Sequence, residues 1–390
     1  MMSHRIKNCI EPALFSLVLM CGLLLFMTPP MLGETPLFTR FSMYGKAGMF
    51  LCVLVCFLLR LIKDKCFDGF IGLFSLFSFS VVLGFLSQGG SLSLTVWNNA
   101  AVPVTVVMLL YLSLKADFRL SVRAIYILYL AFAFINIYTV CTATEAERVH
   151  SFELFFYGNR NTHIYFYLIP LFTGYYGLKK GILKSRSLYA VLYVCVLFSV
   201  ILTKGLTALI VSLLWGGFLL LNSFLELCAV FGFRFNLLTQ GTLFTVFQLY
   251  NGENNSFIRS FLKFAGKNEN VSSRAPLWKL ARAEICKAPL FGHGAAEMEQ
   301  LLHGMPHPHN IYLHMAYNRG LTGVFLFLCI LFLLHRAADT VKDRSIRGLM
   351  GFFIFVVMLS GQFDEYNTVF YAFYGGLLYY LAAFGEKSNE

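Results

Sequence analysis

Residues 205–250 read GLTALIVSLLWGGFLLLNSFLELCAVFGFRFNLLTQGTLFTVFQLY. Glu226 and Arg234 are the only charges in this run. A helix needs about 20 mainly apolar residues to cross the hydrocarbon of a bilayer. The run therefore holds two crossings, read as 205–222 and 228–250. Working outward, further runs of the same kind lie at 11–31, 44–62, 68–86, 96–114, 122–141, 162–178, 187–203, 312–334, 347–361 and 368–385. The chain is read as an all-α polytopic membrane protein with about twelve transmembrane helices.

Composition agrees with this reading. The 390 residues are 58% apolar and only 13% charged, with a mean hydropathy of +0.68. A soluble domain carries about 25% charged residues, and so few charges cannot coat a soluble protein of this size. A soluble enzyme, a disordered chain and a disulfide scaffold are all excluded. Most of the ten Cys fall in or beside apolar runs and are expected to act as small buried hydrophobes. The start, Met1–Lys7, is basic and precedes an apolar stretch, but no small-residue cleavage site follows. It is read as the opening of the first transmembrane helix rather than as a signal peptide.

Three parts result: helices one to nine over 1–250, a polar loop over 251–310, and helices ten to twelve over 311–390. Lys and Arg concentrate in cytoplasmic loops of membrane proteins. With the N-terminus inside, the inner loops hold clusters such as Arg60, Lys63 and Lys65, or Lys179, Lys180, Lys184 and Arg186. The short outer loops hold only Arg40, Lys46, Arg148, Arg160 and Lys204. The net charge of +11 is thus mostly topology, and the long loop is expected outside. In that loop Phe257, Ile258, Phe261, Leu262 and Phe264 recur at helical spacing, as in an amphipathic helix at the membrane surface. A second helix is expected from Ser272-Ser273-Arg274-Ala275-Pro276, with Ser as cap and Pro in the first turn. Pro289, Gly292 and Gly294 stop it.

The residues that stand out chemically gather on the outer side. Five His fall between 293 and 314, and His307-Pro308-His309-Asn310 opens the tenth helix. An imidazole titrates near neutral pH and suits general-base work on a hydroxyl. Clustered His can also bind zinc, but no acidic or Cys ligand stands at matching spacing, and no metal is expected. Arg274 precedes a helix that carries Lys279 and Arg282, and guanidinium grips phosphate bidentately. Lys204 lies between two apolar runs with almost no loop, where a cation either snorkels or meets an anion. Tyr157-Gly158-Asn159-Arg160-Asn161-Thr162-His163 opens the sixth helix, and its polar groups face the same boundary, either as a capping turn or as substrate contacts. His307 and Asn310 join Arg160, His163 and Arg282 as possible substrate contacts.

The chain resembles the O-antigen ligase and polymerase superfamily. The resemblance rests on Gly158-Asn159-Arg160-Asn161-Thr162-His163, Thr203-Lys204-Gly205, Ser273-Arg274-Ala275-Pro276-Leu277-Trp278, Pro289-Leu290-Phe291-Gly292-His293-Gly294, His309-Asn310-Ile311-Tyr312-Leu313 and Gly320-Leu321-Thr322-Gly323, in that order. It implies a glycosyltransferase of the GT-C class in the bacterial inner membrane, with its active site facing the periplasm and no cofactor or metal. The implied donor is a glycan on undecaprenyl pyrophosphate, and the implied acceptor is a sugar hydroxyl of the lipid A-core. Arg274 and Lys204 would hold the pyrophosphate, and His309 would activate the hydroxyl. Lys204 stands where the family has Arg, which keeps the charge and loses the bidentate fork. The single late outer loop and the HPHN segment favour a ligase over an O-antigen polymerase. A transporter or flippase is disfavoured because the two halves show no similarity and the confident crossings lack acids. Membrane lipids are expected as surroundings, and no nucleic-acid partner is expected.

Overall fold

The computed structural model describes residues 2–90, 94–144, 155–225, 230–249, 275–294, 308–363 and 367–386. Among these residues every regular element is helical. In chain order they are α1 (Met2–Phe26), α2 (Pro30–Gly33), α3 (Pro36–Asp64), α4 (Gly69–Ser87), α5 (Leu94–Ala116), α6 (Phe118–Thr142), α7 (His163–Lys179), α8 (Arg186–Thr203), α9 (Leu206–Leu225), α10 (Phe233–Leu249), α11 (Ala275–Lys287), α12 (Ile311–Asp339), α13 (Arg344–Gly361) and α14 (Thr368–Gly385).

Each apolar run of the sequence falls on one long helix, with local differences. The first ends at Phe26, ahead of Pro29-Pro30, because proline disfavours helix in the residue before it. The second starts at Pro36, eight residues before the apolar run. Among the described residues, eight helices are long and apolar enough to cross a membrane. The apolar parts of α1 and α9 are shorter, and α7 and α10 have 17 residues each. For α7 the reason is burial: nearly all of its side chains are enclosed by protein, so packing rather than lipid sets its composition. The surface helix expected over 257–264 lies outside the described residues.

Helix starts are marked by polar caps. Asp68, Asp117, Ser185, Asn310, Asp343 and Asn367 each accept a backbone N–H from the first turn that follows. A helix leaves its first-turn N–H groups without partners of its own, and these side chains supply them. Between the caps, α13 and α14 form the centre, with most of their apolar windows enclosed, and α3 lies at the periphery with 11% enclosed. α14 lies against α5, and α12 lies against α4 and α14. Rings fill the core: Phe218 stacks on Phe352 and Phe172 on Phe353, each with centroids 4.2 Å apart. Lipid offers helices no hydrophobic drive to associate, so this close packing supplies it.

The expectation for the cysteines is corrected. Cys21, Cys52, Cys56, Cys66, Cys141 and Cys286 are exposed, and Cys195 and Cys329 are half-buried. A thiol is apolar enough to face lipid as readily as a core.

The two ends of the bundle differ. At one end Lys115 and Arg60 share Asp64, and Lys180 pairs with Glu386 at 3.1 Å. Arg123 donates to the Ile182 carbonyl there at 3.0 Å. The opposite end carries α11, Arg160, Lys204 and His309.

Candidate functional site

Two turns form the first half of this end. Residues 155–162 fold into a tight loop before α7. Thr162 Oγ1 donates to the carbonyls of Tyr157 and Asn159, and the Asn161 N–H donates to Asn159 Oδ1 at 3.1 Å. Arg160 is half-buried at the tip. Its carbonyl lies 3.4 Å from where a Cβ on Gly205 would stand, so the Lys204–Gly205 turn rests against it. Lys204 caps α8 in the left-handed region, at φ 52°, and its side chain is exposed. Arg160 and Lys204, far apart in sequence, are neighbours here.

A buried polar chain fixes this pair of turns. The Tyr157 N–H donates to Asn136 Oδ1 at 2.8 Å, and Asn136 Nδ2 donates to the Tyr167 hydroxyl at 2.8 Å. That hydroxyl bonds Ser199 Oγ, also at 2.8 Å. Thr203 Oγ1 then donates to the Ser199 carbonyl at 3.1 Å, one residue before Lys204. Four segments, from α6, α7, α8 and the loop, are thereby locked together. Such interhelical bonds contribute about 0.6 kcal/mol each in membrane proteins, but they fix geometry in a way that apolar contacts do not.

His163 requires a correction. The sequence offers it as a substrate contact, yet it is fully buried. Its ring lies among Phe155, Tyr157 and Tyr167, and its Nε2 is 3.3 Å from the Gly158 carbonyl. The loop folds back over it, so it supports the turn rather than meeting a ligand.

The second half is the turn ahead of α12. Pro308 is buried, and its carbonyl accepts the Trp278 Nε1–H at 2.8 Å. Asn310 is also fully buried: its Oδ1 accepts the N–H groups of Tyr312 and Leu313, and its Nδ2 donates to the Gln362 carbonyl at 3.0 Å. Asn310 is therefore corrected from substrate contact to helix cap and anchor. Gln362 in turn donates to the Gln240 carbonyl at 3.0 Å, and Tyr312 reaches Gln240 Oε1 at 3.3 Å. His309 lies between these anchors, half-buried, at φ 50°. A left-handed backbone costs a residue other than glycine on the order of 1 kcal/mol, and His is among those that tolerate it best. The anchors on both flanks hold it there. Only Lys65, Lys204 and His309 have positive φ among the described residues other than glycine. Lys65 and Lys204 both close a helix, whereas His309 does not.

α11 clamps the second turn from above. Trp278 and Ala281 bury against Leu313, and Leu277 against Tyr317. Trp278 thus turns one face of α11 into the protein. Arg282 on that face is half-buried, and Lys279 is exposed. Arg274, one residue before α11, and His307, one before Pro308, lie outside the described residues.

The segment after α11 enters a break in α12. Gly320 takes φ 60° and ψ −163°, a combination open essentially to glycine alone. The break frees backbone groups, and residues 289–294 satisfy them. The N–H groups of His293 and Gly294 donate to Tyr317 and Asn318, at 2.7 and 3.0 Å. Leu321 and Thr322 donate back to Pro289 and Leu290, at 2.8 and 3.1 Å. A non-helical backbone at such a position survives only when protein repairs it in this way. The His293 ring stacks on Tyr317 at 4.7 Å. Gly320→Ala places a methyl on the Leu290 carbonyl in a forbidden conformation. It is expected to lower the melting temperature of the purified protein by several degrees, a loss on the order of 1–3 kcal/mol.

Arg319 is a residue the sequence reading missed. It is buried beside the break, with its guanidinium 4.9 Å over the Phe77 ring and its Nε donating to the Phe77 carbonyl at 3.3 Å. Its signal was present, since a lone charge inside the apolar run 312–334 is costly and calls for a partner. Gln240 and Gln362 were missed in the same way, as polar residues in or beside apolar runs. Among the described residues, no three His, Cys, Asp or Glu gather as metal ligands.

These features define a multi-pass membrane protein. One end presents a cation at Lys204 with Arg160 beside it and, on a separately braced turn, a half-buried imidazole at His309. Residues 181–328 match the family model for O-antigen ligase, from the loop before α8 into the second half of α12. Over this span, between a third and half of the chain, the resemblance to the O-antigen ligase and polymerase superfamily holds. No curated protein matches the sequence.

Proposed function

We propose that this protein is an O-antigen ligase of the GT-C class that crosses the bacterial inner membrane twelve times. It transfers a polysaccharide from undecaprenyl pyrophosphate to a sugar hydroxyl of the lipid A-core on the periplasmic side. His309 removes the proton from the acceptor hydroxyl. The hydroxyl oxygen attacks the anomeric carbon of the donor, and the bond from that carbon to the pyrophosphate oxygen breaks. The electron pair leaves with the pyrophosphate, whose growing charge Lys204 and Arg274 stabilise. The imidazolium then releases its proton to water. Arg160, Arg282 and His307 contact the substrates.

The observation that carries this reading is the strained, doubly anchored turn at His309 inside the stretch matched by the O-antigen ligase family. Strain of this kind is kept where a side chain must be held in one place. The lipid-linked donor also accounts for cations at a membrane boundary. Deleting the gene is expected to leave lipid A-core with no long chains. Lipid A-core bearing a single repeat would overturn the ligase reading in favour of a polymerase. Chain transfer is expected to continue in excess EDTA, and a loss that zinc restores would assign the histidines to a metal instead.

A further inference from the structure

The segment that enters the break in α12 also touches α4. Gly84 lies in the last turn of α4, which ends at Ser87. A methyl on Gly84 would collide with the Phe291 carbonyl and, at 2.8 Å, with the Gly294 nitrogen. On its other side the segment meets Gly320, where a methyl would collide with the Leu290 carbonyl. Residues 289–294 are thus wedged between two helices that are each long and apolar enough to cross a membrane. α4 has 19 residues. At 1.5 Å per residue that is roughly 28 Å, close to the thickness of the hydrocarbon itself. Its last turn, and the segment packed on it, therefore lie within the hydrocarbon edge rather than above it.

The side chains and the backbone of this segment agree with that depth. Leu290 and Phe291 are 61% and 42% exposed. Leu83, next to Gly84, and Leu321, next to Gly320, are exposed at the same level. In water such side chains would forgo the gain of burial, whereas acyl chains are as apolar as leucine. No Asp, Glu, Lys or Arg occurs over 288–294. The last charge before it, Lys287, is paired with Glu284 at 2.7 Å. His293 keeps its ring on Tyr317, with Nε2 2.9 Å from the Glu284 carbonyl oxygen. The backbone is repaired as lipid requires. The Gly292 N–H donates to the Ala288 carbonyl at 3.0 Å, and Thr322 Oγ1 donates to the Leu290 carbonyl at 2.8 Å.

We propose that residues 288–294 are a re-entrant wedge that dips into the bilayer between α4 and α12, with Leu290 and Phe291 seated among phospholipid acyl chains. The stretch read from sequence as an outer polar loop over 251–310 thus includes a part inside the membrane. The wedge is continuous with α11, whose Trp278 holds the Pro308 carbonyl. A lipid-seated tip therefore sets the depth of α11 and, through it, of the His309 turn. The proposal is independent of the ligase reading, since it concerns where the chain lies and not what it transfers.

The test is photocrosslinking in liposomes of phosphatidylethanolamine and phosphatidylglycerol that hold the full-length protein. A benzophenone-bearing phenylalanine replaces Leu290 or Phe291, one site at a time. The same group in place of Phe325, exposed on the crossing part of α12, is the positive control. In place of Lys279, exposed on α11, it is the negative control. Irradiation is followed by mass spectrometry of the protein. Adducts of phospholipid mass are expected at 290 and 291, with yields close to that at 325 and several-fold above that at 279. Both replaced side chains are exposed, melting temperatures identify the folded variants, and either one suffices. A folded variant that gives no lipid adduct at 290 or 291, while 325 does, would overturn the proposal. So would adducts to a second protein chain, which would make Leu290 and Phe291 a protein contact. Equal lipid yields at 279 and 290 would overturn it as well, since the labelling would then single out no wedge.

Discussion

His309→Ala is expected to abolish chain transfer while the protein still inserts and accumulates. His309 occupies the left-handed region at φ 50°, and alanine there loses only the modest tolerance that His enjoys. The neighbouring anchors are untouched, since the Pro308 carbonyl still accepts from Trp278 and Asn310 still caps α12. The fold should therefore lose no more than about 1 kcal/mol. Removing a general base, in contrast, costs on the order of 10²–10⁴ in rate. In cells that is the difference between long-chain lipopolysaccharide and bare core. Normal long chains in a His309→Ala strain would remove the base assignment. His309→Gly serves as a control for the backbone, because glycine relieves the strain and should be as inactive as alanine.

Lys204→Glu is expected to be equally inactive, with Lys204→Ala close behind and Lys204→Arg near wild type. Lys204 is exposed at the end of α8, held by the Ser199–Thr203 bonds and resting on the Arg160 turn. Reversing its charge would set an anion where the proposed reaction releases a pyrophosphate, opposing the charge that builds on the leaving group. Arginine restores the charge and adds a second donor. Arg274→Ala should reduce transfer strongly, and Arg274→Lys should rescue it in part. The measurement is ligation by membranes that carry matched amounts of each variant. Equal activity for Arg, Ala and Glu at 204 would return Lys204 to a snorkelling residue with no part in the reaction.

Much of the fold was legible because a crossing helix satisfies its own backbone and so announces itself by composition alone. The runs read as 187–203 and 368–385 became Arg186–Thr203 and Thr368–Gly385. What was not legible depends on contacts between distant segments. The run 312–334 shows one apolar stretch, but the chain breaks at Gly320 because residues 289–294 arrive to take up the freed groups. Both partners, Pro289-Leu290-Phe291-Gly292-His293-Gly294 and Gly320-Leu321-Thr322-Gly323, were visible as motifs. Their pairing was not.

The site was read with the same division. Lys204 and His309 stood out as a cation and an imidazole at helix ends, and both proved to have left-handed backbones. His163 and Asn310 occupied equivalent boundary positions in sequence and are fully buried. A boundary position says where a residue lies along the membrane normal and nothing about whether a loop folds over it. Arg319, Gln240 and Gln362 were overlooked because each lies in or beside an apolar run and was averaged away with it, although a polar residue held at that depth marks an interhelical bond.

The proposed reaction is transfer of a lipid-linked glycan to the lipid A-core. It is tested most directly by incubating purified protein with undecaprenyl-pyrophosphate-linked polysaccharide and purified lipid A-core. The expected result is ladder-bearing lipopolysaccharide that forms with wild type and not with His309→Ala. Growth of the lipid-linked chain itself, with lipid A-core left unmodified, would contradict the account.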